Sequence, residues 1–343
     1  MTGGWLPPEW APQAAVLLTW PHTHGDWADS LHQTESEFVA FAAAIAAREP
    51  LIVACHDAEH RDHVASCLSG ARVPPARLTL AIAPSNDVWV RDHGPLTVIR
   101  DGRPVALDFR FNGWGGKYRS ELDDAVTATL AAQGALGDLT LETLAWVLEG
   151  GNIEVDGEGT LLVTRPCLMS ATRNAPATAE AMLAALPTLF GVDRVLWVDR
   201  GDVLGDDTDG HIDTLARFCD PHTLAYTCAD PADREQHAAL DGLQGQLAAL
   251  RRSDGAPYRL VPLPVPAPIH DADGRRLPAN YANFLIINSA VLVPVYGDPN
   301  DAVVLDRLAG CFPGRDIVAV PARAIVGQNG SLHCASMQIP AAP

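Results

Sequence analysis

The chain has 343 residues, 48% of them apolar, with 42 acidic against 24 basic side chains and a formal charge of −18. So much apolar content with an ordinary charged fraction allows a large buried core and excludes a disordered chain. The acidity argues against nucleic acid or an anionic membrane surface as the main partner, and suits a cationic ligand as well as plain solubility.

Taken in order, the first thirteen residues show no basic stretch followed by an apolar one, so no secretory leader is expected. No apolar run is long enough to span a bilayer, and a cytoplasmic protein with no membrane partner is expected. Short apolar runs bounded by Gly, Pro and Asp predict strands, and 3.6-residue periodicity predicts helices. A strand is predicted over Ala15–Thr19, a helix over Ser30–Arg48 and a strand over Leu51–Ala54. Strands Leu78–Ile82 and Val105–Phe109, helix Leu122–Ala132 and strand Thr160–Thr164 follow. Then come helix Ala177–Leu186, strands Val195–Val198 and Leu224–Thr227, and a long helix Asp233–Arg251. The chain closes with strands Phe284–Ile287 and Ala290–Val295, helix Asp301–Ala309 and strand Ile317–Val320. Interleaved strands and helices with no linker predict one α/β domain over residues 1–343, and a loose strand–strand–helix–strand rhythm hints at structural repetition. Seven scattered cysteines without a CxxC pair fit a reduced compartment better than a disulfide scaffold.

Four polar runs could carry chemistry. In Arg200–Thr214, a strand His211–Phe218 would place His211 and Asp213 on one face, as an acid/base beside a cation site or as metal ligands. The remaining aspartates of that run read as a solvated loop. In Asn86–Pro95, Asp92 beside Arg91 is either a carboxylate kept ionised for a guanidinium or an ordinary surface ion pair. Glu149 precedes Gly150-Gly151, where the backbone turns sharply or approaches something closely. Cys334 follows a glycine-containing turn and His333; it is a nucleophile or, as for most cysteines, a buried packing residue. A separate HxxEH pattern, His56 to His60, would allow a zinc hydrolase built on His56, Glu59 and His60.

Several segments together resemble the agmatine deiminase and Porphyromonas-type peptidylarginine deiminase family of the guanidino-group-modifying superfamily. They are PPEWAPQAAVLLTWPH (Pro7–His22), NDVWVRDHGP (Asn86–Pro95), FRFNGWGGKY (Phe109–Tyr118), LEGGNI (Leu148–Ile153), GHIDT (Gly210–Thr214), ANYANF (Ala279–Phe284) and LHCASMQIP (Leu332–Pro340). The resemblance implies a five-bladed α/β propeller (pentein) of ββαβ-type units around a pseudo-fivefold axis. It also implies Cys334 as nucleophile, His211 as acid/base, Asp92 and Asp213 as the guanidinium-holding carboxylates, and Glu149 as a further acidic site residue. Trp89, Trp114 and His22 are candidate substrate contacts. No metal or organic cofactor is implied. The partner is a small cationic guanidino substrate, and a homo-oligomer is compatible. The implied reaction is agmatine plus water to N-carbamoylputrescine and ammonia, a polyamine-forming step. Deimination of free or peptidyl arginine is the alternative, and a non-catalytic binding protein on the same scaffold is a third class. The sequence departs from the family's pattern at His93, beside Asp92, and at Gln328–Ser331, beside Cys334, which bears on the shape of the pocket.

Overall fold

The Asp101-Gly102 turn reverses the chain between strands Leu96–Arg100 and Arg103–Arg110, with both turn residues left-handed (φ 52° and 73°). Asp-Gly tolerates this conformation, and its twist matches that of the antiparallel strands it joins. Arg103–Arg110 then pairs in parallel with Thr140–Val147 after a crossover carrying the Asp123–Ala132 helix. Hairpin, helix and parallel strand make one unit, and that unit recurs.

A computed structural model of the chain describes residues 3–343 and contains five small mixed sheets. Glu154–Val155, Thr160–Thr164 and Arg194–Val198 form one; Ala216–Asp220, Thr223–Cys228 and Arg259–Pro264 form another; Leu285–Ile287, Ala290–Val295 and Asp316–Pro321 form a third. In each, an antiparallel pair is followed by a parallel one. The remaining sheet takes its antiparallel strand from the far end of the chain: Ser336–Pro340 pairs with Gln13–Thr19, which continues in parallel to Leu51–Cys55 and Leu78–Ile82. The two ends of the chain are therefore joined inside one sheet. Strands such as Leu51–Cys55 and Thr160–Thr164 are wholly buried, which is why they read as unbroken apolar runs rather than alternations.

Buried charge ties the sheets together. Arg217, fully buried, donates to Glu154 Oε2 (2.8 Å), Glu9 Oε2 (2.8 Å) and the Phe284 carbonyl (2.8 Å). Those partners belong to, or lie just before, strands of three other sheets. A guanidinium without water has to be satisfied by such acceptors, so Arg217 fixes the relative placement of the strands that supply them.

Most predicted elements are present with shifted ends; two expectations differ, and one helix was not expected. His211–Phe218 is not a continuous strand. His211 caps a short helical turn, Ile212–Leu215, closed by the Thr214 N–H and hydroxyl donating to the His211 carbonyl (3.2 and 2.8 Å), and the strand begins at Ala216. The long helix over 233–251 is two helices, Arg234–Ala239 and Leu243–Ala249; the first stops at Leu240, and Gly242, left-handed at φ 83°, begins the second. The Ala58–Gly70 helix has few apolar residues, with only Val64 and Leu68 buried, so periodicity gave little sign of it. All seven cysteines are free thiols, and among the described residues no helix is long and apolar enough to cross a membrane.

Candidate active site

Five short segments, each immediately preceding the first strand of one sheet's antiparallel pair, meet at one place. They carry Asp92 before Leu96–Arg100, Glu149 before Glu154–Val155, and His211 and Asp213 before Ala216–Asp220. Asn283 precedes Leu285–Ile287 and Cys334 precedes Ser336–Pro340. Hydrogen bonds stitch the segments directly. Arg91 N–H donates to the Cys334 carbonyl (3.1 Å) and Gly151 N–H to Asp92 Oδ1 (2.9 Å). Ile212 N–H donates to Asn152 Oδ1 (3.3 Å) and His333 N–H to the Asn283 carbonyl (3.2 Å). Residues far apart in sequence converge because equivalent positions of the repeated unit converge.

Asp92 accepts the Gly151 N–H on Oδ1 and the Trp114 indole N–H on Oδ2 (3.0 Å). Burial pushes its carboxyl up to about 6, against the pull of His211, with Asp213 and Glu149 adding like charge. His211 Nε2 lies 2.9 Å from Glu149 Oε2, while Nδ1 lies 3.6 Å from Asp92 Oδ1 and has no hydrogen-bond partner. Burial alone would keep this ring neutral; the surrounding acids, Asp92 first, lift its pKa well above the ordinary value, so the ring holds a proton at neutral pH. Glu149 is gripped by Arg173, Nε to Oε1 at 3.0 Å and an Nη to Oε2 at 3.2 Å, and also accepts the Cys167 thiol (3.2 Å). Burial opposes its charge, but the His211 and Arg173 contacts hold the carboxyl below its usual range.

Cys334 Sγ receives the Asn283 amide N–H (3.1 Å) and lies 3.6 Å from Asp213 Oδ2. Burial, then the charges of Asp213 and Asp92, push the thiol far above its ordinary value, so it is protonated in the ligand-free protein. Asp213 Oδ2 also meets His333 Nδ1 (2.7 Å), whose Nε2 meets Glu9 Oε2 (2.8 Å). Although burial works the other way, these contacts keep the Asp213 carboxyl below its usual range. Its Oδ1 is buried with no protein partner.

Two glycines make the packing feasible. A Cβ at Gly151 would sit 2.5 Å from His211 Nδ1 and 2.7 Å from Asp92 Oδ1. At Gly330 it would sit 2.3 Å from the Trp89 ring. A side chain at either position would displace the groups that define the site.

A narrow cleft opens onto Cys334 and Asp92. Trp89, Trp114 and Tyr118 form its aromatic walls, and Asp26, Asp87, Asp206 and Asp207 add carboxylates; no Lys or Arg lines it. His211, Glu149 and Asp213 are buried beside it, Asp213 Oδ2 3.6 Å from the Cys334 sulfur and His211 Nδ1 3.6 Å from Asp92 Oδ1. Trp89 and Trp114, the candidate substrate contacts, both line the cleft. His22 is not: its ring donates toward the Ser85 carbonyl (3.1 Å) and packs on His56 (4.3 Å between centroids), away from the cleft lining. His93 adds no charge beside Asp92, because burial without a ring hydrogen bond lowers its pKa to about 3. Of the other departure, Gln328, Asn329 and Gly330 line the cleft mouth.

The zinc reading on His56, Glu59 and His60 fails at His60. Its Nδ1 accepts the His56 N–H (2.9 Å) and its Nε2 meets the Pro21 carbonyl (3.1 Å), leaving no lone pair for a metal. Glu149, Cys167 and His211 do bring donor atoms within 4.8 Å of one another, but the Arg173 guanidinium occupies both Glu149 oxygens and would repel a cation. Asn283, Arg173, His333, Glu9 and Cys167 belong to this assembly without having been singled out from the sequence. Asn283, inside ANYANF, Glu9, inside PPEW, and His333, inside LHCASMQIP, lay in segments that carry the resemblance; Arg173 and Cys167 did not.

The model of the Porphyromonas-type peptidyl-arginine deiminase family matches residues 5–340. The chain is 33% identical to an agmatine deiminase of Stutzerimonas stutzeri over 99% of its own length and 96% of that protein's. Among solved structures, a Porphyromonas gingivalis protein provisionally named an arginine deiminase is 49% identical, with a TM-score of 0.90 and 98% of each chain covered. An agmatine deiminase variant of C. jejuni with substrate bound is 32% identical, with a TM-score of 0.89 over 99% of this chain and 97% of that one.

Proposed function

The chain belongs to the Porphyromonas-type peptidyl-arginine deiminase family, and from that premise we propose that it is a hydrolase of a guanidino C–N bond that acts on agmatine through Cys334. The observation that carries the choice of substrate is the charge of the cleft. Five aspartates, Asp26, Asp87, Asp92, Asp206 and Asp207, line it, and among the described residues no Lys or Arg does. A substrate with a guanidinium at one end and an ammonium at the other is matched by such walls, whereas the α-carboxylate of arginine would meet only like charge. The names of related proteins point to both agmatine and arginine, and the cleft favours the former.

In this reading the guanidinium lies between Asp92 and Asp213, whose unpartnered Oδ1 accepts one of its N–H groups. The arriving cation offsets the two carboxylates that hold Cys334 as a thiol, so the thiolate forms only with substrate in place and its proton leaves to solvent. Sulfur attacks the central carbon, and His211, which carries its proton at neutral pH, delivers it to the departing ammonia. The product of this step is an S-alkylthiouronium on Cys334. His211, now neutral, takes a proton from water; the oxygen adds to the same carbon, the C–S bond breaks, the remaining hydroxyl proton passes to the departing sulfur, and the ureido product leaves. Glu149, held by Arg173, keeps the His211 ring oriented throughout. The five segments that meet here support a five-bladed propeller reading of the sheets, with the site along its axis and the whole chain as one domain.

The test is ammonia release from agmatine, free arginine and a blocked arginine peptide, with Cys334→Ser as control. Agmatine is expected to turn over fastest and Cys334→Ser to be silent. Faster turnover of arginine would remove the substrate assignment and leave the chemistry standing.

A further inference from the structure

A second group of reactive side chains lies outside the cleft, where the first two helices of the chain face each other. His63 and Cys67 stand one turn apart on the Ala58–Gly70 helix and so share a face. Glu35 projects toward them from the Leu31–Ala46 helix. His63 Nε2 lies 2.8 Å from Glu35 Oε1 and 3.5 Å from Cys67 Sγ, and the three donor atoms all fall within 4.8 Å of one another. The Trp20 indole N–H donates to Glu35 Oε1 (3.1 Å) and fixes the carboxylate in the way that outer partners orient metal ligands.

With bonds of about 2.0–2.3 Å, tetrahedral zinc separates a nitrogen from an oxygen ligand by about 3.4 Å and a sulfur from a nitrogen by about 3.6 Å. The sulfur–nitrogen edge is already present, and the nitrogen–oxygen edge needs to open by about half an ångström. We propose that Glu35, His63 and Cys67 form a three-residue site for zinc or a divalent ion of similar softness, clamping the two helices together. Sulfur and imidazole donors select against magnesium and calcium, which take oxygen ligands. The fourth position falls to water, since half of the His63 side chain (52%) is open to solvent. On binding, the metal–sulfur bond replaces the thiol S–H and the proton leaves to solvent, while the His63 ring keeps its proton on Nδ1.

A neighbouring group, His24, His56 and Asp57, also brings donor atoms together. It has no sulfur, and Asp57 Oδ1 is engaged in capping the helix through the His60 N–H (2.8 Å). This neighbour supplies the control.

The test titrates the reduced, metal-free full chain with cobalt(II). One equivalent is expected to produce a thiolate-to-cobalt charge-transfer band that zinc abolishes, and zinc is expected to raise the melting temperature. Cys67→Ser and His63→Ala should each remove the band, lower zinc affinity by about tenfold or more, and cancel the thermal shift, whereas His24→Ala should leave all three unchanged. Ammonia release by Cys67→Ser should match the wild type, which separates this thiol from Cys334. The proposal is overturned if the band survives both substitutions, if only His24→Ala loses it, or if the wild type binds no zinc at micromolar concentration.

Discussion

Asn283 and Cys334 hold each other twice: the Cys334 N–H donates to Asn283 Oδ1 and the Asn283 amide N–H donates to Cys334 Sγ, both at 3.1 Å. The same amide reaches Asp213 Oδ2 (3.2 Å), so one side chain sets the distance between the sulfur and a substrate-holding carboxylate. Asn283→Ala should lower kcat for agmatine by about one to two orders of magnitude with a smaller change in KM, because it loosens the reacting atom more than the cation's grip. Asn283→Asp should be worse, since a further carboxylate beside the sulfur opposes the thiolate. Steady-state kinetics of the two variants check the order.

The acid limb of kcat/KM should report Asp92. Its carboxyl has to be ionised to hold the guanidinium, and burial places its pKa at about 6, so activity should rise with pH through that value. Trp114 donates to Oδ2 and thereby favours the ionised form. Removing the donor raises the pKa further, so in Trp114→Phe the limb should move to higher pH. A limb that moves downward, or stays in place, would detach it from Asp92.

Gly151→Ala should cost about 100-fold or more in kcat/KM, because its Cβ would fall within 2.5 Å of His211 Nδ1 and 2.7 Å of Asp92 Oδ1. The backbone there is not left-handed, so the effect should come from the displaced groups rather than from strain. A thermal melt run beside the kinetics should show a far smaller loss of stability than of rate.

Arg173 should act on both. It is buried with Glu149, and Arg173→Leu leaves that carboxylate with only the His211 ring and the Cys167 thiol as partners, a loss expected to cost about 3 kcal/mol of folding stability. Arg173→Lys keeps the charge and loses the two-point grip on Glu149, so it should fold better than the leucine variant while kcat stays depressed. Denaturant unfolding and ammonia release on the same preparations separate the two effects.

Much of this site could be read from the sequence, residue by residue, because Asp92, Glu149, His211, Asp213 and Cys334 each sit in a compact polar run. Their convergence could not. The His211–Asp213 relationship was expected from strand alternation, yet it arises from a helical turn that Thr214 closes, a local hydrogen-bonding choice that competes with the strand. Arg173 went unnoticed and His333 was noted without its role, because their partners lie far along the chain: Glu149 in one case, Asp213 and Glu9 in the other. His22 went the other way. It lies in a segment that carries the family resemblance, yet it belongs to the histidine cluster by Ser85 and His56 rather than to the cleft.

The measurement that bears most directly on the account is mass spectrometry of the enzyme quenched in acid during turnover of agmatine. The peptide containing Cys334 should carry an adduct equal to the substrate less ammonia, and the adduct should be absent from Cys334→Ser, which should release no ammonia. Ammonia release undiminished in Cys334→Ser, with no adduct on the wild-type peptide, would contradict the assignment of Cys334 as nucleophile.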